Sequence, residues 1–191
     1  MTGRNITRDE ASMLIAGLTR TRRRTLVTLD GPCAGGKTTL AARLAGETGG
    51  TVVHTDHFVV PLGQKTPERL AVPGGNCDRE RLENEVLRPW KEGTGGFFRR
   101  YSWTEDRLLE PEALPGDGLM ILEGSYCSLP ELRQYADLRL FMDTPEDIRM
   151  ARLKERETPA SFARFLEKWI PLEKAYFEAY GLPDPDCLLV R

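Results

Sequence analysis

The 191-residue sequence carries almost no net charge, since 27 Lys+Arg against 29 Asp+Glu leave −2. It lacks the positive excess that supplies nonspecific nucleic-acid affinity, so no nucleic-acid partner is expected. No apolar run approaches the roughly 20 residues that span a bilayer, and no membrane association is expected either. The opening stretch MTGRNITRDEASML has no apolar core of the secretory kind. Histidine is nearly missing, with only His54 and His57. The four cysteines, Cys33, Cys77, Cys127 and Cys187, form no C-x-x-C pair. These shortages argue against a structural zinc site or a disulfide framework, and reduced thiols point to a cytoplasmic chain. Gly (18) and Pro (13) fall in clusters rather than in a repeat, which removes collagen, coiled coil and low-complexity disorder. At 40% hydrophobic and 29% charged, the composition fits one globular domain over residues 1–191 with a single core.

Strand and helix signals alternate along the chain. Thr7-x-x-Glu10 reads as a capping box opening a short helix with Leu14, Ile15 and Leu18 on its inner face. Residues 1–24 then end in an arginine-rich link, most simply solvated. Apolar runs at Thr25–Asp30, Thr51–His54, Leu119–Leu122, Leu138–Met142 and Cys187–Val190 read as strands, and Phe97–Trp103 as an edge strand or part of a small hairpin. Helices are expected from about Lys37 to Glu47, after Asp78, after Thr144-Pro145 with Thr144 as N-cap, and from Ala160 to about Tyr180, where Pro171 should kink or break the last one. Residues 58–75 lose periodicity and read as loop. Strands separated by helices imply an α/β fold with a parallel sheet and helices on both faces.

The strongest motif is Gly31-Pro32-Cys33-Ala34-Gly35-Gly36-Lys37-Thr38, followed by Thr39, which matches G-x-x-x-x-G-K-[ST] at each fixed position. It follows an apolar strand and precedes a helix, as the mechanism requires. Glycines let backbone N–H groups converge on phosphate oxygens, and the helix N-terminus adds positive potential. Lys37 would bridge the β- and γ-phosphates of ATP, and Thr38 would offer its hydroxyl to Mg²⁺. No Asn-Lys-x-Asp guanine reader occurs, and 191 residues leave little room for a motor ATPase. A small-molecule kinase needs only this loop, an acceptor pocket, a metal carboxylate and a cationic lid.

With His54-Thr55-Asp56-His57-Phe58, Asn76-Cys77-Asp78, Arg100-Tyr101, Leu122-Glu123-Gly124 and the Arg149/Arg152/Arg156 helix in that order, the chain resembles the uridine kinase/phosphoribulokinase-like family of P-loop nucleoside kinases from Thr25 to about Arg156. The resemblance implies a three-layer α/β/α fold around a five-stranded parallel sheet, with a helical lid in residues 144–180. It also implies ATP·Mg²⁺ as donor and a nucleoside hydroxyl as acceptor.

Asp56, at a strand's C-terminal end where such folds bind ligands, would orient that hydroxyl, take its proton and share the metal. Glu123 ends the most apolar run, and a carboxylate there is expected to hold Mg²⁺ or to pair with a structural arginine. Asp78 has a sufficient explanation as a helix N-cap, while the resemblance gives it ribose hydroxyls. Tyr101, beside Arg100, either contacts a nucleobase or packs, and Ser102 stands where the family often has Asp. Arg149, Arg152 and Arg156, spaced i, i+3, i+7, form one cationic face, either a lid over the triphosphate or a solvated face paired with Glu146 and Glu155. The segment Lys154–Pro159 replaces the family's Glu-Arg-Gly lid run. The aromatic stripe with Phe165 and Trp169 reads as core, and its density also permits a dimer face, hence a homo-oligomer, or an acceptor-pocket wall. Other acceptors stay open: a vitamin-like sugar derivative, an antibiotic, or a nucleoside monophosphate held by Arg79 and Arg81. So does an ATP-binding regulatory module with no acceptor.

Overall fold

A computed structural model describes residues 3–191. The strands are β1 (Asn5–Ile6), β2 (Arg24–Asp30), β3 (Thr51–His54), β4 (Gly96–Ser102), β5 (Arg107–Leu114), β6 (Gly118–Glu123), β7 (Leu138–Met142) and β8 (Leu188–Val190). The helices are α1 (Arg8–Thr21), α2 (Lys37–Thr48), α3 (Pro67–Ala71), α4 (Arg79–Leu82), α5 (Arg88–Glu92), α6 (Pro130–Arg133), α7 (Glu146–Arg156), α8 (Pro159–Arg164) and α9 (Ile170–Ala179). Among the described residues no helix is long and apolar enough to cross a membrane.

Six parallel strands form the main sheet in the order β1-β8-β7-β2-β6-β3. The expected five are joined by β1, a two-residue strand that exists through its pairing with β8. The sheet is buried on both faces, so its strands read as near-continuous apolar runs. Alternation divides them. Val27, Leu29, Leu119 and Ile121 pack with Ile15 of α1 and Leu40 and Leu44 of α2. Leu26, Met120, Leu122 and Phe141 pack on the opposite side with Leu82, Trp90 and Tyr176. Thr7 caps α1 with the full capping box, its hydroxyl accepting from the Glu10 N–H and its own N–H donating to the Glu10 carboxylate at 2.7 Å.

Several local expectations change. Phe97–Trp103 is not an edge of the main sheet; β4 pairs with β5 in a separate antiparallel ribbon. The stretch after Phe58 is only partly loop, because Thr66 caps the short helix α3 with Pro67 in its first turn. Helix α7 starts at Glu146, and the Thr144 hydroxyl, instead of capping it, donates to the Gly35 carbonyl at 2.8 Å. Pro171 does not break the last helix. A π-turn over Phe165–Trp169 joins α8 to α9, and a second one over Glu83–Leu87 precedes Pro89 in the same way. Proline lacks an N–H and crowds the carbonyl four residues back, and a wider turn relieves both problems.

Candidate functional site

The sheet register brings the chemistry to one edge. Glu123 lies beside Leu29 on β2 and His54 on β3, so the loop after Asp30, the carboxylate of Glu123 and the turn at Thr55–His57 meet at the C-terminal ends of neighbouring strands. Two glycines make the approach possible. Gly31 has φ +136°, and a Cβ there would stand 2.7 Å from the Met142 carbonyl oxygen; Gly124 has φ +127°, and its Cβ would strike Thr55 Oγ1.

The phosphate loop is organised by what holds its carbonyls. Lys37 Nζ donates to Gly31 O at 2.7 Å and Pro32 O at 3.0 Å, while Arg149 Nη1 donates to Cys33 O at 3.3 Å. Arg152 Nη1 reaches Ala34 O and Gly35 O at 3.4 and 3.3 Å. With the carbonyls drawn aside, the backbone N–H groups of Ala34, Gly36, Lys37, Thr38 and Thr39 have no acceptor among the described residues. Such a row of N–H donors at a helix N-terminus is an anion site.

Facing it, Thr38 donates its hydroxyl to Glu123 Oε1 at 3.1 Å, and the same oxygen pairs with His54 Nδ1. Glu123 is only 4% exposed, so its charge is held by these partners. That bond raises the pKa of His54 above its usual value, against the opposing effect of burial. His57, by contrast, is pushed down to about 4, first by burial and then by the neighbouring His54. Asp56 makes no hydrogen bond among the described residues. Its side chain is exposed to the cleft, whose walls crowd it. This desolvation, with Glu123 and Glu173 nearby, raises its pKa against the pull of Lys37. Beneath the loop, the fully buried Asp30 accepts from Gly31 N–H, Ser128 N–H and the Tyr176 hydroxyl.

A cavity of about 880 Å³ runs over these groups. Lys37, Thr38, Asp56 and Glu123 line it near the loop, and Asn76, Trp103, Tyr126, Phe165 and Trp169 line its aromatic part. Trp103 and Trp169 meet edge to face at 5.8 Å between ring centroids. The loop residues Cys33 to Thr39 and the cations Arg152 and Arg156 belong to the same wall. Arg149 does not: it is buried, bonded to Thr144 O and Cys33 O, and braces the loop. Arg156 pairs with Glu157, and Glu146 pairs with Lys174, so Glu146 and Glu155 are not the partners of the arginine face, while Arg152 and Arg156 are exposed on it.

Gly31 and Pro32 do not line the cavity, and neither do the three acceptor-side candidates. Tyr101 is buried with its hydroxyl on Asp106, Arg100 pairs with Glu112 on the ribbon, and Asp78 caps α4 through the Arg81 N–H at 3.2 Å. Their places in the wall are taken by Trp103 and Asn76, each close in sequence. Arg8, Ser125, Arg164 and Glu173 also line it without having been singled out. Of these wall residues, Asn76 stood in the Asn76-Cys77-Asp78 motif and Phe165 and Trp169 in the aromatic stripe, while Arg8, Ser125, Arg164 and Glu173 gave no advance signal.

The donors near the loop suit Mg²⁺. They are hard oxygens, a hydroxyl and carboxylates, and no group of three or more His, Cys, Asp or Glu able to hold a metal alone occurs among the described residues. Mg²⁺ commonly takes one or two carboxylates and completes its shell with phosphate oxygens and water.

A model of the Phosphoribulokinase / Uridine kinase family matches residues 76–160. No curated protein matches the sequence. Among solved structures, a "Possible Uridine Kinase" from Bacillus stearothermophilus is similar with a TM-score of 0.68 at 19% identity, covering 95% of this chain and 100% of that one. A "putative fructose transport system kinase" from Silicibacter sp. TM1040 gives a TM-score of 0.68 at 22% identity, over 98% of this chain and 100% of its own. Identities this low establish a shared fold. The chain therefore has the fold of P-loop kinases, and over residues 76–160 it carries the pattern of the Phosphoribulokinase / Uridine kinase family.

Proposed function

We propose that the chain is an ATP-dependent small-molecule kinase that transfers the γ-phosphoryl group to a hydroxyl of a nucleoside. The observation that carries this reading is the single cavity in which the free loop amides, Lys37 and Thr38 face Asp56 and Glu123, and which continues to an aromatic wall. In this reading the triphosphate lies on the amides of Ala34 and Gly36 to Thr39, with Lys37 on the β- and γ-phosphates. Thr38 and Glu123, with Asp56, hold Mg²⁺, which when bound neutralises charge on the transferring phosphoryl group. Asp56, on the cleft wall facing the loop, accepts the proton of the acceptor hydroxyl. Arg152 and Arg156 supply positive charge from the α7 side, while Arg149 acts by holding the loop. The ring walls of Trp103, Phe165 and Trp169 suit a flat base, with Asn76 as a polar contact. Arg79 and Arg81 would not hold a monophosphate acceptor, because Arg79 pairs with Glu131, Arg81 pairs with Glu85, and neither lines the cavity.

The test is ADP release with ATP·Mg²⁺ against a panel of nucleosides, nucleotides and sugar alcohols, with mass detection of the product. Acceptor-dependent release that falls about 10²–10⁴-fold in Asp56→Asn, with ATP binding retained, supports the reading. ATP binding with an inert panel, or an unchanged rate in Asp56→Asn, overturns it.

A further inference from the structure

Glu173 has no part in the phosphoryl-transfer scheme above, yet it reaches the phosphate loop from the far end of the chain. Its side chain is 93% buried (7% exposed) and sits in the first turn of α9. Oε2 accepts from the Cys33 N–H at 3.0 Å, and Oε1 accepts from the Ser125 hydroxyl. Ser125 Oγ also lies 3.3 Å from the Gly31 carbonyl oxygen. Gly31, Ser125, Glu173 and Cys33 thus form a closed ring around the first residues of the loop. One turn further along α9, the Tyr176 hydroxyl bonds Asp30 at 2.7 Å and receives the Ser128 N–H at 3.1 Å, which fixes the helix carrying Glu173.

A carboxylate on a phosphate-loop amide could act in two ways. It could compete with phosphate for the amide, so that its negative charge weakens nucleotide binding, or it could hold the loop in the shape that binds. The surroundings favour the second. Both oxygens are used by donors fixed in the core, the helix is tied at a second point, and the neighbouring amides of Ala34 and Gly36 to Thr39 are left free for a ligand. The carbonyls of the loop are held by Lys37, Arg149, Arg152 and Thr144, while its first amides are held by carboxylates, Gly31 N–H by Asp30 and Cys33 N–H by Glu173.

We propose that Glu173 is a positioning residue, a latch from the C-terminal helix that holds the start of the phosphate loop through the Cys33 N–H. It acts through reach and hydrogen bonding rather than through charge. This inference rests on the nucleotide-binding part of the kinase reading and needs no acceptor. A glutamine can satisfy both partners, its carbonyl accepting from Cys33 N–H and its amide donating to Ser125 Oγ, whose own proton then turns to Gly31 O. An aspartate keeps the charge but falls one methylene short.

The experiment is calorimetric titration of wild type, Glu173→Gln and Glu173→Asp with ATP·Mg²⁺ and with ADP·Mg²⁺. The latch predicts that Glu173→Gln stays within about threefold of wild type, while Glu173→Asp loses about tenfold or more, the size of one hydrogen bond to a charged group. Aspartate binding as tightly as wild type, or glutamine as weak as aspartate, overturns the latch. Tightening in Glu173→Gln alone would show that charge competition governs and would overturn it as well. Wild type that binds neither nucleotide overturns the kinase reading and the latch together, whereas wild-type binding with an unaffected Glu173→Asp overturns the latch alone.

Discussion

Tyr176→Phe isolates one hydroxyl beneath the phosphate loop, and the structure gives both the size and the pH dependence of its loss. The ring would keep its packing against Tyr126, Phe177 and Tyr180. What disappears is the 2.7 Å bond to Asp30 Oδ2, while the Ser128 N–H stays on the same oxygen at 2.9 Å. A hydrogen bond to a charged group is worth roughly 1.5–3 kcal/mol. A protein of this size shifts its midpoint by about 2–4 °C per kcal/mol, so the melting temperature near pH 7 should fall by roughly 3–12 °C. Burial raises the pKa of Asp30, and the Tyr176 hydroxyl and the Gly31 N–H oppose that rise. Because the folded-state pKa lies above the unfolded one, the folded chain binds more protons between the two values, and stability falls as pH climbs through that window. Removing the hydroxyl lifts the folded pKa further, so the variant loses more stability over the climb. The unfolded pKa is common to both proteins, so the gap should be small at pH ~4, below the raised folded pKa, and widen as pH climbs through it. Thermal unfolding of both proteins by circular dichroism across that range is the assay. A gap below about 1 °C at neutral pH, or one that stays constant as pH falls, would refute the view that the bond is made to a buried carboxylate.

Two further outcomes bear on the cavity. Glu123→Gln keeps the shape of the bond to Thr38 but removes the charge, and the Mg²⁺ concentration for half-maximal ADP release should rise at least about tenfold, the low end for outer-shell changes at metal sites; an unchanged Mg²⁺ titration would take the metal away from Glu123. Trp103→Ala removes one ring of the cavity wall, and losing an aromatic contact with the acceptor, about 0.5–1.5 kcal/mol beyond burial, should raise the acceptor KM about two- to tenfold with nucleotide affinity constant. A change in nucleotide affinity alone would place Trp103 on the wrong side of the cavity.

What could be read in advance was local. The phosphate loop is a contiguous octapeptide whose glycines, lysine and threonine announce their own backbone geometry, and the Thr7–Glu10 capping box is equally self-contained. The three-residue rhythm of Arg149 and Arg152 located one helical face, but not its target, because which groups a face meets is set by packing against distant chain. Tyr101 and Trp103 show how a single backbone irregularity decides which ring reaches the cavity. The register of β4 on β5 shifts between Arg99 and Tyr101, so Phe98 and Tyr101 are both buried although they are three apart. Trp103, just beyond the strand, is left to line the cavity. Strand β1 had no alternation to read in two residues, and it forms only because β8 offers an open edge. Glu173 is 140 positions from Cys33, and nothing in its helical surroundings distinguishes it from a surface glutamate.

The donor count on the loop cations shows how they divide the work. An ammonium has three protons. Two of those on Lys37 are used by Gly31 O and Pro32 O, so one remains for a phosphate oxygen without the lysine leaving its carbonyls. Arg149 spends Nε and Nη1 on backbone carbonyls and is buried, which leaves it no route to a ligand. Arg152 spends only Nη1 and keeps Nε and Nη2. The helix spacing made the three α7 arginines equivalent, whereas their bonding orders them: Arg149 shapes the loop, Arg152 shapes it and can still touch phosphate, and Arg156, itself exposed and held by Glu157 and the Phe165 ring, is the most easily redirected. Loss of Arg149 should then act on nucleotide affinity through the loop, and loss of Arg156 on the transfer step, a split that measuring KM and kcat separately would reveal.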